Sequence, residues 1–406
     1  MKKLLCVLLA ATVSMGGMAA MTGCTKRSEQ LKLYSQGEYM DEEIFAEFES
    51  WYKEQTGEKV KVSMNDFQSN ESMYNIVSMD KADYDLICPS DYMIEKMIKE
   101  GLCKKVDKSL VDIAAEGLIV PEYLEATRVF DPTLEYSVPY MYGTFGILYN
   151  YKTLGKHITS WEELFASNRD RKLSLKKSPR DTYHAAGLYL HGEQLRNTPL
   201  AEKKAKVQEV FDTVTDDSVA EVKNVLSAWK GKDKHWDDED GKFSMAKGEL
   251  DMGLYWSCDA GYVMSDYEDD SGNLSKGNKD LWYVIPEEGG NVYLDSFVIS
   301  KYAKNEKAAN YFLQFLCQKA TAIANSIYCG AVSPVAAAYG ELKAEYEAMD
   351  LESEDSVFKG TSAAWKDMYI NMLMFPSADV LKRCGQMRDY GAADGKVVRA
   401  MADIMQ

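Results

Sequence analysis

The sequence predicts an α/β protein of two lobes, and three observations point there. Short apolar segments begin near residues 31, 59 and 84, with a helix-period segment in each interval. That spacing favours parallel strands joined by helical crossovers, with helices covering both faces of the sheet. The alternation restarts after residue 160 without a Gly- or Pro-rich linker, so the halves are joined by strands and are not independent modules. At 406 residues, 46% of them hydrophobic, the chain can supply a core to each half.

The elements follow in order. Leu31-Lys32-Leu33-Tyr34 alternates as a strand. Asp41 is a candidate cap for a helix with Ile44, Phe45, Phe48, Trp51 and Tyr52 on one face, and Gly57 ends it. Lys59 to Val62 is the next strand, and Ser69 or Asn70 caps a helix carrying Met73, Tyr74 and Ile76. Tyr84 to Cys88 is a third strand, and Ser90 caps a helix that ends at Gly101. Further on, Ser160 and Glu163 match a capping box, and Leu173-Ser174-Leu175 runs into Ser178-Pro179-Arg180-Asp181, a helix start with proline at the first position. Lys230 to Lys242 reads as a solvated loop. Strands return at Met252–Trp256, Leu281–Ile285 and Phe297–Ile299, and Asn305–Gln318 is an amphipathic helix on Ala308, Ala309, Phe312, Phe315 and Leu316. Ligands of such sheets bind beyond the carboxyl ends of the strands. Those ends are Ser35–Tyr39, Asn65–Ser69 and Pro89–Tyr92.

Ahead of the fold, Lys2 and Lys3 precede a charge-free run from Leu4 to Met21, so residues 1–23 read as a secretory signal peptide. Met21-Thr22-Gly23-Cys24 resembles the bacterial lipobox, which implies a palmitate-bearing lipid anchor on Cys24 and a polar tether over 24–30. A retained transmembrane anchor is the alternative, which the length barely allows. The expected location is the periplasm or cell surface, tethered by lipid.

Composition and missing motifs exclude several function classes. A net charge of −17 argues against nucleic acid, which needs a basic face, and an acidic surface instead concentrates cations. Six cysteines remain outside the signal and lipobox, none in a CxxC pair, so buried thiols and disulfides both stay open. His157, His184, His191 and His235 show no clustering of the kind a metal site needs. GxSxG, P-loop, HExxH and GxGxxG patterns are absent. No enzyme, cofactor or metal is expected.

An ordered series of segments carries a resemblance. It runs through Tyr34-Ser35-Gln36-Gly37-Glu38-Tyr39, Ser69-Asn70-Glu71-Ser72-Met73-Tyr74 and Tyr84-Asp85-Leu86-Ile87-Cys88-Pro89-Ser90-Asp91-Tyr92. It continues through Tyr136 to Tyr140, Leu254-Tyr255-Trp256, Glu288-Gly289-Gly290 and Tyr293-Leu294-Asp295-Ser296. The series is similar to the spermidine/putrescine-binding proteins of ABC importers. It weakens between about 185 and 245 and beyond 335. The resemblance implies a type II periplasmic-binding fold, two α/β lobes around a ligand cleft joined by crossover strands. Lobe 1 would be 31–138 with 296–335, and lobe 2 would be 139–295 with 336–406. It also implies a polyamine ligand, an ABC permease as membrane partner and a monomeric receptor.

The family's pattern places ligand groups at Tyr92, Asp181, Trp256, Tyr293 and Asp295, with Asp259 matching an acid of putrescine-type members. Ser90, Gln36 and Glu38 complete the candidate set. These residue types suit an organic cation: carboxylates meet desolvated ammonium ends, and aromatic rings line the methylenes. Asp181 and Ser90 can equally serve as helix caps, and Trp256 as core. The chain departs from the pattern at Gln36, where a Trp is expected, and at Ser178, where spermidine-type members have a carboxylate; Ala331 also differs, and Met387 or Gln386 replaces a polar contact. A receptor for another small solute, a secreted enzyme and a surface sensor are the rival readings.

Overall fold

The computed structural model describes residues 26–405 apart from Glu38 and the short stretches 80–81, 167–169, 232, 238–239, 269–272 and 355. The signal peptide and Cys24 lie outside the described residues.

In the first lobe β1 (Gln30–Gln36), α1 (Ile44–Thr56), β2 (Lys61–Phe67), α2 (Asn70–Ser78), β3 (Leu86–Ile87) and α3 (Asp91–Lys99) alternate. β1 pairs in parallel with both β2 and β3, because each return passes through a helix. α1 buries Ile44, Phe45, Phe48 and Tyr52, and Phe48 packs edge-on against Phe312 at 4.8 Å. Gly57 closes it at φ 74°, in the left-handed region glycine enters without strain. Ser69 caps α2 in a box with Ser72.

The later elements that build the sheet and the site include β4 (Ser137–Asn150), β5 (Leu173–Lys176), α4 (Pro179–Leu190), β6 (Lys234–Asp237), β7 (Met252–Trp256), α5 (Ser257–Met264), β8 (Leu281–Val284), β9 (Gly290–Ser300), α6 (Glu306–Leu316), β10 (Cys384–Gly385) and α7 (Asp394–Ile404). Strands follow the order β2-β1-β3-β9-β4-β7-β5-β6, with β8 on β4 and β10 on β9. The outer strands on each side pair in parallel. The two central strands are antiparallel to each other, β9 also to β3 and β4 also to β7, so they tie one α/β half to the other. The predicted α/β class and its strand-joined halves are therefore observed.

Several local expectations change. Asp41 does not cap α1; its carboxylate accepts from the Glu43 amide in a turn before the helix. Ile76 points to solvent, while Met73 and Val77 form the buried face of α2. The third strand shrinks to Leu86–Ile87, flanked by single backbone bonds from Asp85 and Cys88 to β1. The Ser160–Glu163 box does not form, because the Ser160 hydroxyl turns to buried Glu288. The charged stretch after Lys230 is not all loop: β6 lies inside it, paired with β5. The short strand expected at Phe297–Ile299 is the end of the 11-residue β9. The six described cysteines are free thiols.

Candidate functional site

The site forms where β9 passes between the halves. β9 and β4 slip register between Asp295 and Ser296, with Asp295 opposite Met141 and Ser296 opposite Pro139. Such a bulge re-aims a side chain, and the proline opposite has no ladder hydrogen to lose. Asp295 is 3% exposed. Tyr39 Oη donates to its Oδ2 at 2.7 Å, and Tyr39's own carbonyl accepts from Tyr140. Ser90 faces Asp295 in an isolated antiparallel bridge. Burial pushes the Asp295 carboxyl up to about 6, opposed by Ser90 and Tyr39, while the charge of Asp181 adds to the rise. Ser90 thus acts on the carboxylate, yet Oδ1 is buried without a directed hydrogen bond. An orphan carboxylate oxygen in a buried position is costly unless a cation reaches it.

A second group gathers around Trp256, at the end of β7. Its indole N–H donates to Asp181 Oδ2 at 3.1 Å, so Asp181, in the first turn of α4, faces the cleft. Burial raises the Asp181 carboxyl, while the Ser178 and Trp256 contacts and the charges of Lys176 and Arg180 pull the other way. Asp259, in the first turn of α5, has its Oδ2 2.6 Å from Lys176 Nζ and its Oδ1 3.6 Å from Lys242 Nζ. The shorter contact is an ion pair off the hydrogen-bond direction, since Oδ2 receives no directed donor. Lys176 Nζ also lies 3.9 Å from the Trp256 ring centroid.

Tyr293 hydrogen-bonds Cys258 Sγ at 3.4 Å. Its ring lies against Gly143 on β4, where any side chain would collide with it. Tyr92 donates to Glu71 at 3.0 Å, and the Arg180 guanidinium lies 3.8 Å over its ring. Asp91 accepts from Gln386 Nε2 at 2.9 Å, and burial pushes its carboxyl up to about 7. Ser90 Oγ accepts from Asn70 instead of capping α3.

Seven of the nine expected residues thus lie in two neighbouring groups: Ser90, Tyr92 and Asp295 on one side, and Asp181, Trp256, Asp259 and Tyr293 on the other. Gln36 ends β1 opposite Phe67, outside the contacts just described, and Glu38 is not among the described residues. Of the substituted positions, Ser178 is the N-cap of α4, while Ala331 and Met387 are buried. Sequence reasoning missed Tyr39, Lys176 and Arg180, and marked Gln386 only as an alternative to Met387 at a substituted position. Arg180 stood inside the helix-start motif and Tyr39 at an expected strand end; Lys176 had no signal beyond closing a strand. Among the described residues no cluster of His, Cys, Asp and Glu could hold a metal, and no helix is long and apolar enough to cross a membrane.

Comparison with known proteins decides the family. The model of the family described as bacterial extracellular solute-binding protein matches residues 43–350. The chain belongs to that family. Its members are binding proteins, so the chain is a receptor and not an enzyme. It is similar to spermidine/putrescine-binding periplasmic protein 1 of Haemophilus influenzae, 25% identical over 370 residues covering 90% of this chain and 86% of that one. It is also similar to the spermidine/putrescine-binding periplasmic protein of Salmonella typhimurium, at 29% identity over 318 residues, 78% of this chain and 80% of that protein. In fold it resembles the spermidine/putrescine ABC transporter substrate-binding protein PotD of Streptococcus pneumoniae, with TM-score 0.65 and 24% identity over 93% of this chain and 98% of that one. The type II periplasmic-binding architecture is thereby established.

Proposed function

We propose that the protein is a lipid-anchored receptor that captures a polyamine outside the cell and delivers it to an ABC permease. The observation that carries this reading is Asp295, a buried carboxylate with an orphan oxygen at the junction of the halves, beside Tyr39 and Tyr293. A desolvated ammonium needs a carboxylate partner, and its methylenes favour an aromatic wall. The printed ligands of the curated relatives support the same class. Capture would proceed by closure of lobe 1 (31–138 and 296–335) on lobe 2 (139–295 and 336–406), the ligand adding contacts only the closed form can make. Lipid on Cys24 would hold the monomeric receptor at the membrane.

A calorimetric panel of putrescine, cadaverine, spermidine and spermine tests the ligand class. At least one should bind one-to-one and raise the melting temperature. Binding of an unrelated solute, with all four amines silent at millimolar concentration, would overturn the assignment.

A further inference from the structure

One cation position in the cleft is already filled by the chain itself. Lys176, at the end of β5, is 2% exposed; its ammonium stands 3.9 Å over the Trp256 ring and 2.6 Å from Asp259. A ring face and a carboxylate around one ammonium are the groups that would receive a ligand's amine. The neighbouring charges are balanced as well. Asp259 also has Lys242 at 3.6 Å, and Asp181 feels both Lys176 and Arg180 while holding the Trp256 N–H. Asp295 differs. The groups acting on it are Ser90, Tyr39 and the carboxyls of Asp181 and Asp91, none of them a cation, and its Oδ1 is buried without a directed hydrogen bond.

Resting on the reading of the cleft as a polyamine site, we propose that Lys176 is a built-in occupant of one ammonium position, so that the pocket takes a single ligand ammonium, at Asp295. The ligand's other end then meets a wall whose acids are already neutralised. A second ammonium there would face Lys176 at like charge, a repulsive element that selects against dications. The preferred class is an amine with one charged end and one neutral end, such as a mono-N-acylated diamine. Lys176 is thus a specificity-determining residue, and Trp256 and Asp259 serve it before they serve a ligand.

The test is titration calorimetry of putrescine and its mono-N-acetylated form against the wild type and Lys176→Met. The wild type should favour the acetylated amine by about tenfold or more, a difference set by the repelled second charge. Lys176→Met should invert that order, putrescine gaining at least about tenfold as Asp259 becomes available, and adding Asp259→Asn should erase the gain. Lys176→Gln, which keeps a hydrogen-bonding end without charge, repeats the measurement if the methionine variant does not fold, and the wild-type preference stands apart from either variant. A wild type that favours putrescine tenfold, or a preference unmoved by removing the lysine charge, overturns the proposal while leaving the polyamine reading intact. If neither amine binds any of the proteins while another solute does, both fall together.

Discussion

Asp295 sits in the low-dielectric junction with its carboxyl pushed up to about 6, above the ordinary 3.8. Between those values the folded protein binds more protons than the unfolded chain, so ligand-free stability falls as pH rises through that window. The penalty, on the order of 3 kcal/mol, is complete above the folded value. An ammonium at the carboxylate favours the charged form and pulls the titration back down. Binding near pH 6 should therefore expel on the order of half a proton, and affinity should fall roughly tenfold per unit at more acid pH. Asp91, pushed up to about 7 by burial with Asp295's charge adding to it, titrates nearby, so the released protons belong to the pair. Asp295→Asn isolates the contribution: proton release should diminish, and affinity should drop by about 2–5 kcal/mol, some 30-fold to several thousand-fold. Calorimetry in two buffers of different ionisation enthalpy, near pH 6 and near pH 8, reads both quantities. An enthalpy independent of buffer at the lower pH would mean that the bound cation never reaches this carboxylate.

Among the elements, β4 carries the most consequence. All 14 of its residues are buried, and Gly143 leaves room for Tyr293 on the facing strand. A Cβ at that glycine would stand 2.2 Å from Tyr293 Oη and 2.9 Å from Ser257 Oγ. Gly143→Ala should therefore displace Tyr293 and cost about 1–3 kcal/mol of stability through overpacking. Ligand affinity should weaken with it, as read by thermal melts and titration; unchanged melting and binding would show that Tyr293 is not seated by this contact. The sequence concealed β4 because Pro139, Gly143 and Gly146 punctuate it like a turn, although in the structure they serve a bulge and close approaches. The parallel strands of the first half, apolar and followed by capping residues, were legible, whereas β6, written mostly in charged and polar residues, was not. The resemblance marked Asp181, Asp259 and Asp295 as candidates, but not buried Asp91, which the charge of Asp295 reaches. Lys176 was not legible, because a lysine closing a strand reads as solvated until tertiary packing buries it. The Ser160 box failed for the related reason that buried Glu288 outcompeted the local cap.

Across the whole molecule, the two halves meet along α3 and the C-terminal segment before α7. α3 follows β3 in the first half, whereas α7 packs on α4 in the second. Between them Arg388 makes a two-point contact with Glu95, at 3.0 and 2.7 Å, and the Asp389 amide donates to the same carboxylate at 2.9 Å. Lys99 joins Glu95 at 3.2 Å and Asp389 at 3.0 Å. Burial alone would raise the Glu95 carboxyl, but Arg388 and the Asp389 amide outweigh it and hold it below the ordinary range. Separating the halves along this seam would break the Arg388 and Asp389 contacts to Glu95 and leave it only Lys99 of its own helix, so under the proposed closure of the lobes the network would favour the closed form. Arg388 is 35% exposed on its side chain, and solvent screening keeps the pair's worth to about 1–2 kcal/mol. Removing it with Arg388→Gln should shift the ligand-free population toward the open form by roughly ten-fold. Affinity should fall with it, by nearly the same factor where the open form predominates beforehand and by less as the closed form gains weight, since apparent affinity scales with the closed fraction. Small-angle scattering without ligand should give a larger radius of gyration for the variant, and saturating ligand should bring both proteins back to one value. Equal radii without ligand, together with equal affinities, would leave closure to be set by the ligand and the crossover strands alone.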